Sequence, residues 1–140
     1  MRSAVGARNS ARRALAAGAL LMAMATALGA LASHRLKYTL SEDDYGVLQT
    51  ALHYQFVNAL GLLGVGLLLE RRASRALAIA ADVLLAGVLL FSGSLYALLW
   101  GAPRALGVLT PIGGLCLIGG WCAVALAAWR SPNHPPPGWR

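Results

Sequence analysis

Few side chains in this sequence are able to do chemistry, and their spacing separates one isolated carboxylate from a looser polar group. Asp82 interrupts an apolar run over residues 76–100. In a helix beginning near Ala76 it lies about 9 Å from the helix end. A carboxylate at that depth in a membrane is costly and is a candidate for ion or proton movement. The simpler reading has Asp82 reaching headgroup water, with Arg75, two turns away on the same face, snorkelling towards it. The second group is His34, Gln49, His53, Asn58, Ser92, Ser94, Tyr96 and Thr110, all nearer the opposite membrane face. Asn58 and Ser92 fall at similar depth. Polar side chains in a bundle usually hydrogen-bond between helices, contributing roughly 0.6 kcal/mol each. The functional alternative is a small polar pocket for a headgroup or solute. Asp82 and His53 come out about 20 Å apart along the membrane normal, too far to share a proton.

Other chemistries find no support. Haem held between two helices needs axial ligands facing each other, and only His53 lies well within a helix, with His34 at a helix end. No Cys/His/carboxylate spacing suits a metal, and no Ser-His-Asp or phosphate-loop pattern is present. Cys116 and Cys122 lie six residues apart in one apolar segment. On a helix their side chains point apart, so they are read as small apolar residues rather than a bridge. The expectation is a protein with no catalytic residues, no cofactor and no metal.

The elements that must position these residues follow from composition. Of 140 residues 58% are hydrophobic and 12% charged, against about 25% charged in a soluble domain. Apolar runs of about twenty residues recur, the length that crosses a bilayer. This excludes a soluble enzyme, a disordered chain and a disulfide-stapled secreted domain. The fold class expected is an all-α bundle of four transmembrane helices, over residues 14–32, 42–69, 76–100 and 111–129. Residues 1–13 read as a basic tail and residues 131–140, with Pro132 and Pro135 to Pro137, as a disordered one. Ser41 before Glu42, Asp43 and Asp44 marks a helix start. Thr110-Pro111 reads as the cap and first residue of the last helix; the alternative is a helix from Ala105 broken at Pro111. Ala30-Leu31-Ala32 before Ser33 fits a signal-peptide cleavage site, yet the run of about 19 apolar residues exceeds the usual signal core, so the first helix is expected to be retained.

The 12 Lys and Arg against 5 Asp and Glu would suggest nucleic acid in a soluble protein; at the ends of apolar runs they set orientation instead. Nine of the basic residues, Arg2, Arg8, Arg12, Arg13, Arg71, Arg72, Arg75, Arg130 and Arg140, share one side. The positive-inside rule then predicts both termini in the cytoplasm. Small residues recur at i, i+4, i+8: Ala19, Ala23 and Ala27; Gly93, Ala97 and Gly101; Gly119, Ala123 and Ala127. Such stripes let helices approach closely, within the bundle or in an oligomer.

Several phrases line up across the chain: Gly29-Ala30-Leu31-Ala32-Ser33-His34-Arg35-Leu36-Lys37, Phe91-Ser92-Gly93-Ser94-Leu95-Tyr96, Thr110-Pro111-Ile112-Gly113-Gly114 and Gly119-Gly120-Trp121. Together they resemble the YgdD/YwdK-like group of small four-helix bacterial inner-membrane proteins, from about Leu20 to Trp129. Family members tend to carry a histidine shortly after the Tyr-Gln pair of the second helix. Here Tyr54-Gln55 is followed by Asn58, with His53 before it instead. The resemblance implies a plasma-membrane location and a retained first helix, and it supplies no activity. The expected partners are the lipid bilayer and either further copies or a larger membrane complex. The leading functional expectation is a structural or accessory subunit; the alternative is a small transport or channel unit using Asp82 or the polar group.

Overall fold

A chain in lipid has no water to satisfy its backbone, so an apolar run long enough to cross must close its hydrogen bonds on itself as a helix. The computed structural model describes residues 2–130; the tail at 131–140 lies outside the described residues. Helices α1 (Arg2–His34), α2 (Glu42–Arg71), α3 (Arg75–Leu99) and α4 (Leu109–Trp129) follow one another, with no strand among the described residues. All four are long and apolar enough to span a membrane. With 33 and 30 residues, α1 and α2 run to about 50 and 45 Å, well beyond the roughly 30 Å hydrocarbon core.

Local chemistry sets the boundaries. Ser41 caps α2, its hydroxyl accepting from the Asp44 amide at 3.1 Å, and Ser74 caps α3 by accepting from Leu77. The acids of the first turn of α2 add favourable charge at the positive end of the helix dipole. Gly101, at φ +87°, turns the chain after α3, and a 3-10 turn over Arg104–Val108 leads into α4.

Two elements differ from the sequence reading. Residues 2–13 belong to α1 and form no separate tail. The reason is burial: Ala11 and Ala14 join a core cluster with Leu69 and Leu77, so the end of α2 has α1 to pack against. Helix α4 begins at Leu109, with Val108 in the cap position and no side-chain cap. Thr110 is therefore inside the first turn and its hydroxyl is turned to Ser94. Pro111 fits there without a kink because first-turn amides have no intrahelical acceptor to lose.

The helices pack in chain order. α2 lies between α1 and α3, α4 packs on α3, and α1 touches α3 lightly. Two apolar clusters form the core. One joins Ala59, Leu62, Val65 and Leu69 of α2 to Leu77, Leu84 and Val88 of α3. The other, towards the opposite end, joins Ala25 and Ala32 of α1 to Leu48 and Leu52 of α2. The end where α2 finishes and α3 starts carries Arg71, Arg72 and Arg75 and is the basic end of the bundle.

Close approach depends on glycines other than those singled out from spacing. A Cβ at Gly113 would strike the Phe91 backbone, lying 2.8 Å from its Cα. Leu84 fills the space at Gly120 and Leu117 the space at Gly87, so α3 and α4 interlock reciprocally; Gly18 lies against the Ala59 carbonyl and Gly66 against Leu15. Gly93, Gly101 and Gly119 have nothing within 4 Å of where a Cβ would stand. Ala97 and Ala123 are half-buried, and Ala127 packs on the core. Ala19, Ala23 and Ala27 are exposed. The i, i+4 stripes thus coincide with contacts inside the bundle only in part, at Ala97, Ala123 and Ala127, because several faces of such a chain are rich in small residues.

Gly113→Ala should lower stability by about 1–3 kcal/mol through overpacking against Phe91. Gly119→Ala should be neutral or raise stability by up to about 1 kcal/mol, since alanine is the better helix former. Thermal unfolding of both variants in the same detergent checks the contrast.

Candidate functional site

Between the two apolar clusters lies a layer of polar side chains centred on Gln55, which is only 2% exposed. Its amide nitrogen donates to the Leu21 carbonyl of α1 at 2.8 Å, and its amide oxygen accepts from the Tyr96 hydroxyl of α3 at 2.8 Å. One side chain of α2 therefore ties three helices. Ser92, also buried, donates to the Ala51 carbonyl at 2.9 Å, adding a second link between α3 and α2. Ser94 donates to the Phe91 carbonyl and shares a 2.7 Å hydrogen bond with Thr110, joining α3 to the start of α4.

Asn58 lies one turn along α2 towards the basic end. Its amide nitrogen donates to the Tyr54 carbonyl, which leaves its oxygen to accept from the Trp121 indole of α4 at 2.9 Å. The indole lies in the space that a side chain at Gly61 would need. α2 and α4 otherwise stay apart, so a groove runs between them with Trp121 across it. The half towards the α3–α4 turn encloses about 570 Å³, lined by His53, Tyr54, Asn58, Phe91, Ile118 and Trp121, among others. The half towards the basic end encloses about 670 Å³ and includes Gly61, Gly64, Leu68, Glu70, Arg71 and Val124 in its wall.

Asp82 is at the far side of the molecule's chemistry. Its two carboxylate oxygens both accept from one terminal nitrogen of Arg13, at 3.2 Å each. The partner is thus an arginine of α1 and not Arg75, because α1 continues as a helix past residue 13 and lies beside α3 there. Both side chains stay largely open on the protein surface, at 57% and 63% exposure.

The polar residues read from the sequence are therefore divided. Tyr96, Ser92, Asn58, Ser94 and Thr110 join the interhelical network. His53 is exposed, lines the groove and meets the Tyr54 ring edge-on. His34 is exposed at the end of α1, away from the layer. Gln49 is exposed and donates to Tyr45. These groups do not converge on one polar pocket, since the hydroxyls and amides face neighbouring helices. Among the described residues no three His, Cys, Asp or Glu side chains gather as a metal would require.

Sequence reasoning missed Gln55, Trp121 and Arg13 as site residues. Gln55 had a signal: it is an amide seven residues after Leu48 and three after Leu52, on the apolar face of its helix. Arg13 and Trp121 had none, because each is matched to its partner only by tertiary packing.

A family model described as "Protein of unknown function (DUF423)" matches residues 28–114. The UPF0382 membrane protein SH2409 of Staphylococcus haemolyticus is 37% identical, over 81% of this chain and 92% of the relative. The chain belongs to this family. The UPF0382 inner membrane protein YgdD of Escherichia coli is 36% identical, over 74% of this chain and 79% of its own. A UPF0382 membrane protein of Haemophilus influenzae is also 36% identical, over 76% and 86%. No solved structure matches. With four spanning helices, this DUF423 protein is a multi-pass protein of the inner membrane, embedded in the lipid bilayer. The matched region contains Gln55, Asn58, Asp82, Ser92, Tyr96 and Thr110, and stops short of Trp121.

Gln55→Leu removes two interhelical hydrogen bonds and should cost about 1–2 kcal/mol, against about 0.6 kcal/mol for Ser92→Ala; chemical denaturation in mixed micelles ranks them. A double-mutant cycle of Arg13→Gln with Asp82→Asn should give a coupling below about 1 kcal/mol that shrinks with added salt. The same cycle with Arg75→Gln should give none.

Proposed function

We propose that this inner-membrane protein is a structural or accessory subunit without catalytic machinery, inserted with both termini in the cytoplasm. The observation that carries this reading is how the buried polar groups are used. Among the described residues no buried side-chain nitrogen or oxygen lacks a hydrogen-bond partner. Their bonds run from helix to helix or back to the backbone, so they stabilise one arrangement and leave no file of free polar groups to carry a solute across. The surface points the same way. Gly93 and Gly119 open onto empty space, and Ala19, Ala23 and Ala27 are exposed on α1. Small residues that no helix of the bundle covers allow a helix of another copy, or of a larger complex, to approach closely. The orientation rests on the excess of arginine at the basic end.

Transport gains less. Asp82 is held by Arg13 on the surface, with no polar link among the described residues to the layer around Gln55.

Native mass spectrometry of gently extracted protein should show an oligomer that Gly119→Leu or Gly93→Leu converts to monomer while the melting temperature is retained. Liposomes holding the wild type should show no proton or solute flux. A flux that Asp82→Asn or Asn58→Leu abolishes would overturn the proposal. Single cysteines placed at Arg72 and Ala102, in a background with Cys116 and Cys122 replaced by alanine, should be labelled from the cytoplasmic and opposite faces respectively.

A further inference from the structure

We infer that the basic-end half of the groove between α2 and α4 binds one glycerophospholipid with an ammonium-bearing, zwitterionic headgroup. Three observations fit this occupant together. The first is length. The groove runs along α2 from Arg71 at its mouth to Gly61, where Trp121 lies across it. Ten residues of helix span about 15 Å, half of the roughly 30 Å hydrocarbon core, which is the depth that one leaflet's acyl chain covers. Trp121 thus closes the groove near the middle of the bilayer, and its hydrogen bond to Asn58 fixes it there.

The second observation is the wall. Gly61, Gly64, Val65, Leu67, Leu68 and Val124 line the groove, and Gly64 has nothing within 4 Å of its absent Cβ. A methylene chain gains contact with the α2 backbone there without displacing any side chain. The third is the mouth. Glu70 and Arg71 both line it, and neither forms a salt bridge with another described residue. A carboxylate beside a guanidinium complements a headgroup that carries an ammonium and a phosphate: Arg71 takes the phosphate and Glu70 the ammonium. A headgroup with negative charge alone meets Glu70 as a like charge.

The full chain is placed in nanodiscs made of equal parts phosphatidylethanolamine and phosphatidylglycerol, released, and examined by native mass spectrometry. The expected result is a single retained phospholipid, phosphatidylethanolamine in excess of phosphatidylglycerol. Gly64→Leu, which fills the groove from an open position, should lower the retained lipid by about tenfold with helix content unchanged. Glu70→Gln should equalise the two lipids, and Arg71→Gln should weaken retention of both. Equal retention of the two lipids by the wild type would overturn the assignment. So would unchanged retention by a folded Gly64→Leu variant, or a loss of oligomer in place of lipid, which would make the occupant a protein helix. Should Gly64→Leu fail to fold, the surface variant Glu70→Gln decides alone: a lipid preference unaltered by it overturns the proposal.

Discussion

The Gln55 amide is the constraint around which the four helices are set. Apolar side chains gain little by leaving lipid for one another, so packing alone gives membrane helices weak preference for one vertical alignment over the next. A buried amide is different, because both of its ends need partners and no water is at hand. Gln55 meets this need with Leu21 on one side and Tyr96 on the other, and those two bonds fix the heights of α1 and α3 against α2. Ser92 holds the same level through Ala51, and one turn away Asn58 sets the position of Trp121 and so of α4. The glycine contacts then act within a register already chosen.

The packing shows a division of labour between residue types. Between α3 and α4 the large residues of one helix enter glycine positions of the other: Leu117 at Gly87 and Leu84 at Gly120. Between α1 and α2 the same exchange occurs with Leu15 at Gly66. Both pairs are neighbours in sequence, so each forms as a hairpin, and the hydrogen bonds from α2 to α3 and from α2 to α4 join the two hairpins. The groove arises because that second junction relies on a single large side chain, Trp121, and not on backbone contact.

Much of this was legible in the sequence, for physical reasons particular to membranes. Four helices follow from apolar length, since hydrocarbon thickness leaves little freedom, and the cap of α2 follows from Ser41. Ser92, Tyr96 and Asn58 stood out because polar groups are rare in such segments. What could not be read was pairing. Arg13 looked like part of a solvated tail, because nothing local says that α1 continues below it; the partner that gives it a place is 69 residues away. Thr110 looked like a cap because Thr-Pro is a strong local signal, and a hydroxyl on a neighbouring helix, Ser94, competes for it. Gly93 and Gly119 sit in i, i+4 runs of small residues, whereas Gly113 has Leu109 and Leu117 at that spacing and Gly120 has Val124. The path of the adjacent helix, which spacing does not reveal, decides which glycines are used.

The pairing of Arg13 with Asp82 also bears on how the chain is made. Synthesis runs from the amino terminus, and each segment enters the membrane as it emerges from the ribosome. An aspartate near the centre of an inserting helix costs about 2.5–3.5 kcal/mol on the translocon scale, and less towards its end. Arg13 belongs to α1, which is made ahead of α3 and its Asp82. The cation is therefore made before the carboxylate, and α3 inserts after the helix that carries its counter-ion has been synthesised.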